Sequence, residues 1–156
     1  MAEPVFHGPG EGGTVGHPLG ADVTFKVRGE RSDRRLLAFE TVVPPGQGPP
    51  LHTHAADDET LYVLEGEVRF RLGEELRAGG AGSFAFVPRG TRHTFRNVGT
   101  GPARILIHFA PSGMERFFDE FAALPADASP AEAFGRIGGP AGMNVIGPPL
   151  AATEPR

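Results

Sequence analysis

Between residues 23 and 109 the apolar residues come in short runs, and almost every run is stopped by a glycine or a proline. Proline removes a backbone donor and glycine opens turn conformations, so this stretch cannot build a long helix or a bundle. Runs of this length suit strands. Val23-Thr-Phe25-Lys-Val27-Arg28 alternates apolar with polar, as a half-buried strand does. Further strands are expected over 36–43, 59–64, 68–72, 84–87, 93–97 and 104–109, with a hairpin-like break at Glu65-Gly66-Glu67. Glycine (23) and proline (16) make up a quarter of the 156 residues, a fraction that can signal disorder. Against that, 39% of the chain is hydrophobic and it carries 12 phenylalanines, enough for a core. An all-β sandwich or barrel with Gly/Pro turns is the fold class that follows.

The character changes after Pro111. Ser112 and Glu115 have capping-box spacing, and Met114, Phe117, Phe118, Phe121 and Leu124 then fall on one helical face. Pro125 stops that helix. Ser129-Pro130 starts a second, reaching about Arg136, before a Gly/Pro-rich tail. The chain therefore divides into an N-terminal arm (1–21), a β-barrel (22–111) and a C-terminal segment of helices and tail (112–156). No cysteine is present, which excludes disulfides, thiolate metal sites and cysteine nucleophiles. A net charge of −4 with scattered basic residues argues against nucleic acid. No apolar run approaches the ~20 residues that span a bilayer, and the first twenty residues lack a signal-peptide pattern. A soluble, cytoplasmic protein is expected.

His52 and His54 stand two apart on a strand-like segment, so both imidazoles project from one face. Glu59 lies an odd number of residues further on, so Ala55-Ala56-Asp57-Asp58 must turn and reset the register for it to face the same way. His93 follows the Pro88-Arg89-Gly90 turn. Three imidazoles and a carboxylate suit a divalent transition metal; calcium and magnesium sites are built from oxygen ligands. Among the other histidines, His7 and His17 sit in the arm and are expected to be solvent-exposed. His108 is expected at an interface and not as a ligand. Asp57-Asp58 reads as a solvated turn, and Phe84, Phe86, Phe95 and Phe109 as core.

These residues carry a resemblance. Gly46-x5-His52-x-His54-x4-Glu59-x6-Gly66 resembles the first cupin motif at every position, and Gly82-x5-Pro88-x-Gly90-x2-His93-x3-Asn97 resembles the second. The chain is similar to small single-domain bacterial cupins, and its Phe-rich helix and tail more faintly resemble the quercetin 2,3-dioxygenase-like ones. The resemblance implies a double-stranded β-helix (jelly-roll) barrel with a short helical C-terminus. It implies one divalent transition metal per chain (Fe, Ni, Mn, Co, Cu or Zn), ligated by His52, His54, Glu59 and His93. Asn97 is then structural, a hydrogen-bonder at a turn or strand end. Small cupins are commonly dimers, and the Gly/Pro-rich termini could pair along a partner's sheet edge, so a homodimer is expected.

Four protein ligands leave room on a metal for substrate, water or dioxygen. Glu59 could also accept a proton from an acidic substrate hydroxyl, and a Phe-rich wall suits a flat aromatic guest. A dioxygenase acting on a small aromatic or flavonol-like substrate is the leading expectation, with Glu59 as catalytic base. Its alternatives are a metal-dependent isomerase, epimerase or polyketide cyclase, and a non-catalytic small-ligand binder; a regulator would need a helix-turn-helix that the sequence lacks.

Overall fold

The computed structural model describes residues 1–17 and 19–150, so the end of the 112–156 segment lies outside the described residues. In chain order the strands are β1 (Gly13–Val15), β2 (Val23–Val27), β3 (Leu37–Val43), β4 (Pro50–His54), β5 (Asp58–Glu65), β6 (Val68–Leu72), β7 (Glu75–Gly79), β8 (Phe84–Val87), β9 (His93–Asn97) and β10 (Ala103–Ala110). Helices α1 (Glu115–Ala122) and α2 (Pro130–Gly138) follow, then a 3-10 turn at Gly139–Ala141 and β11 (Met143–Pro149). Two antiparallel sheets result, ordered β1-β2-β3-β10-β5-β8 and β11-β4-β9-β6-β7. This is the expected all-β jelly-roll with a short helical C-terminus. No helix among the described residues is long and apolar enough to cross a membrane.

The sheets enclose one core. Along β5 the inward positions Glu59, Leu61 and Val63 are buried while Tyr62 is exposed. Ala103, Ile105, Ile107 and Phe109 do the same for β10, the strand that joins β3 to β5. Val68 and Phe70 of β6 close the core from the opposite sheet. Each ladder therefore offers the interior every second side chain, and among the buried polar exceptions Glu59, His52, His54 and His93 gather in one cluster.

The turns that aim these strands need the motif glycines. Gly46, Gly66, Gly82 and Gly90 all have φ between +77° and +91°, a region costly for residues with a Cβ. At Gly66 the cost would be steric as well, because a Cβ would lie 2.8 Å from the Cα of Ala103. Asn97 is fully buried: its Nδ2 donates to the carbonyls of Val43 (2.9 Å) and Gly101 (2.8 Å), and its Oδ1 accepts the Gly99 N–H (2.9 Å). The structural role expected of it is the one it has.

Several expectations change. Three strands lie outside the predicted set of runs: β1 in the arm, paired with β2; β7, which completes a hairpin with β6; and β11 in the tail, which lies along β4. Ser112 does not cap α1. Its N–H donates to Arg34 O (3.1 Å), which holds it back in the connection, and Met114 takes the N-cap position with no side-chain bond. The Glu115 carboxylate instead accepts the N–H groups of Gly113 (2.7 Å) and Gly29 (3.0 Å). Ser129 does cap α2, accepting the Glu132 N–H with Pro130 in the first turn. Phe84 and Phe86 are not core: they alternate with buried Ala85 and Val87 and point out of the edge strand β8.

Candidate metal centre

Three strands bring the four predicted ligands together. β4 carries His52 and His54 on its inner face, and its pairing with β9 sets His93 directly opposite His52. Ala55 to Asp57 break the strand, and β5 restarts at Asp58 with Glu59 pointing inward. The parity change required of residues 55–58 is therefore made. One ligand atom from each of the four residues lies within 4.8 Å of the others, and all four residues are buried. Ring centroids of His93 lie 4.3 Å from His52 and 5.2 Å from His54.

Backbone carbonyls orient two of the rings. His52 Nδ1 bonds Pro50 O (2.7 Å) and His93 Nδ1 bonds Thr91 O (2.9 Å), which fixes the Nδ1–H tautomer and leaves each Nε2 for the cluster. Both ring nitrogens of His54 are buried without a hydrogen-bond partner. That is a costly arrangement for an imidazole unless a cation supplies the missing contact. Glu59 Oε2 sits 2.7 Å from His93 Nε2 and 3.2 Å from His54 Nε2. Burial alone would raise the Glu59 carboxyl, but its close contacts with His54 and His93 outweigh burial and hold it well below the usual carboxylate range. The same contact raises His93 against the effect of burial. Burial and its two neighbouring histidines push His52 down to about 3, so it is neutral at pH 7, as a ligand must be. The residues fit one divalent transition metal.

Above the cluster opens a cavity of about 730 Å³ including its mouth. Its walls are apolar: Phe39, Phe95 and Phe109 from the sheets, Met114, Phe117 and Phe118 from α1 and the residue before it, Phe134 from α2 and Met143 from β11. Rings run in contact from His54 to Phe109 (4.9 Å), Phe39 (6.1 Å), Phe118 (4.7 Å) and Phe117 (5.2 Å). α1 thus closes the open end of the jelly-roll, and its phenylalanines are both helix packing and pocket wall. Phe134 was legible as a helix-face residue beside Ala133 and Ile137, whereas Met143 follows Gly142 with no periodicity to announce it.

His17 departs from expectation. It is half-buried, lines the cavity, and packs its ring 4.7 Å from Phe121 and 6.3 Å from Phe134. His108, as expected, is no ligand: it faces outward and its Nδ1 bonds Thr60 Oγ1 (2.9 Å). The Asp57-Asp58 pair is not a solvated turn. Asp57 is buried, which raises its carboxyl. Asp58 receives Arg89 from backbone N–H (3.0 Å) and guanidinium (3.1 Å), and so ties the turn before His93 to the start of β5.

Comparison with known proteins agrees with this geometry. The Cupin domain family model matches residues 39–109, which include all four ligand positions. The tetracenomycin polyketide synthase protein TcmJ of Streptomyces glaucescens is 38% identical over 68 residues, covering 43% of this chain and 45% of that protein. The polyketide synthase CurC of Streptomyces cyaneus is 34% identical over 70 residues, 45% of this chain and 46% of its own. The chain thus spans about half the length of these curated relatives. An RmlC-like cupin from Shewanella frigidimarina superposes with a TM-score of 0.62 over 72% of this chain and 96% of its own, at 18% identity, a likeness of fold alone. With the jelly-roll, the two spaced motifs and the buried His/Glu cluster, these matches show that the chain carries a cupin domain over residues 39–109.

Proposed function

We propose that this cupin is a metal-dependent enzyme acting on a flat, enolisable or phenolic small molecule of polyketide type. One observation carries the reading: the buried Glu59 carboxylate stands among three histidines on the floor of a phenylalanine-walled cavity. A divalent transition metal held there would act as a Lewis acid toward a substrate oxygen and, if redox-active, would open dioxygen chemistry. The chain supplies the rest. His52 and His93 are donors held in place by backbone carbonyls, and His54 stands with its Nε2 beside the Glu59 carboxylate. Glu59 Oε2 is positioned to take the proton of an acidic hydroxyl or an activated C–H delivered to the cluster. The phenylalanines hold an aromatic skeleton and keep bulk water from the deprotonated substrate.

Two reactions share this start. In a cyclase, the enolate attacks a second carbonyl of the same molecule, a C–C bond forms and water leaves; the polyketide synthase names of TcmJ and CurC support this reading. In a quercetin 2,3-dioxygenase-like enzyme, dioxygen is consumed and both of its atoms enter the substrate; the apolar enclosure supports that one. The test is turnover of metal-loaded protein on flavonols and on aromatic poly-β-ketones in an oxygen electrode, with product masses. Loss of one water without oxygen uptake supports the cyclase; one dioxygen consumed per substrate, with a product mass that gains two oxygens and loses carbon monoxide, supports the dioxygenase. Glu59→Gln keeps a coordinating oxygen but removes the base, so metal is expected to stay near wild-type content while turnover falls at least 100-fold, the low end for a general base (~10²–10⁴). Retained turnover in that metal-loaded variant removes the base role.

A further inference from the structure

Away from the metal cluster, the cavity wall carries few polar side chains: Thr41, Gln47 and His17. Thr41 Oγ1 is already spent on Ala21 O (3.3 Å), and Gln47 is exposed to solvent. His17 differs from both. The Asp22 carboxylate accepts its backbone N–H (3.1 Å), and Phe121 and Phe134 flank its ring, so the side chain is held in place. Its Nδ1 accepts the Leu19 N–H (3.1 Å), which puts the ring proton on Nε2. That Nε2–H has no protein acceptor among the described residues.

The geometry points to His17 as a substrate-binding residue: its Nε2–H donates to an oxygen at the end of an aromatic ligand remote from the metal cluster. Burial pushes the imidazole down to about 4, against the pull of Asp22, so it acts as a neutral donor at pH 7. It therefore recognises a carbonyl, phenol or phenolate oxygen without demanding a counter-charge. The ligand class follows from the whole cavity: one oxygen for the cluster, an aromatic body for the phenylalanines, and a second oxygen at the far end for His17. This inference rests on the cavity being the ligand site of the proposed function, but it does not require turnover.

The test uses zinc-loaded protein and two flavonols, one with an unsubstituted pendant ring and one with a para-hydroxyl on that ring, titrated by ligand absorbance. Wild type is expected to bind the hydroxylated flavonol about three- to tenfold more tightly, the range one net hydrogen bond gives. His17→Phe should bring that ratio to about one, and His17→Gln, which keeps a donor, should restore part of it. Equal affinities in wild type, binding of neither flavonol, or a ratio that survives in both variants each overturns the proposal. Zinc content per chain, measured on the same samples, separates these failures from failure of the metal site: full zinc with no ratio condemns only the role of His17.

Discussion

His93 enters the cluster under two constraints, its strand pairing opposite His52 and its Nδ1 bond to Thr91 O, so its ring has little freedom to be replaced by a neighbour. His93→Ala is expected to lower metal from about one ion per chain to well below stoichiometric, read by elemental analysis. A metal present at a thousand times its Kd adds about 4 kcal/mol to the native state. The variant should therefore melt lower than metal-loaded wild type and respond little to a chelator. Full occupancy in His93→Ala would contradict the ligand set. His17 makes a different prediction, in pH. Its folded-state pKa of about 4 lies below the ordinary 6.5, so between those values the unfolded chain binds more protons and stability falls as pH drops. The His17 contribution is complete above about 6.5 and gone below about 4, with Asp22 the charged group facing it. In His17→Gln, which does not titrate, the decline in melting temperature across this window should be shallower; an unchanged slope counts against a neutral, buried imidazole. The ligands were legible in the sequence because strand parity and turn position are local properties of residues 46–66 and 82–97. His17 was not, because only the distant helices that flank it make it part of the cavity.

Helix α1 owes its place to contacts from both ends. Glu115 accepts the Gly29 N–H, and Arg28 pairs bidentately with Asp119 while its guanidinium lies 4.4 Å from the Phe25 ring centroid. So fixed, the helix divides its phenylalanines between two tasks. Phe121 is fully buried against Phe117 and Phe134, away from the cavity lining. Phe118 is half-buried on the cavity wall against Phe39. Phe121→Ala should cost roughly 3–5 kcal/mol, as large aromatic truncations in cores do. Phe118→Ala should cost clearly less and weaken flavonol binding, both read by denaturant melts and ligand titration. Equal stability losses, with affinity unchanged in Phe118→Ala, would make the helix simple packing. The stripe that announces this helix is periodic and therefore readable. β1, β7 and β11 escape such reading for a physical reason: each lies at or near a sheet margin and much of it faces solvent, so apolar alternation is weak or absent. Only the partner strand decides that they are strands.

The two sheets differ in what they leave uncovered. β8 ends the six-stranded sheet, and on its outer face Phe84 is 63% and Phe86 55% exposed, with Tyr62 of β5, paired to Phe84, 40% exposed. Leu106, opposite Tyr62 on β10, extends the apolar strip inward. An aromatic patch beside an unpaired strand edge invites association. Beside pairing by the termini, where β1 and β11 also stand at sheet margins, the expected homodimer thus acquires a second rationale in this aromatic face. We infer that a second copy covers this face, because one strip of like residues can meet itself across a two-fold axis and β8 can lie antiparallel to its own copy. Four residues of strand pairing alone would be too little for a stable interface of roughly 1,200–2,000 Å², so the aromatic side chains must supply most of the buried area. Light scattering at about 10 μM, a concentration at which such an interface should hold, is expected to give twice the 16.5 kDa chain mass. Phe84→Glu combined with Phe86→Glu places like charges against each other across the axis and should give a monomer that still carries its full metal content, because neither residue touches the cavity. A monomeric wild type, or a dimer that survives both substitutions, would place the partner elsewhere or nowhere.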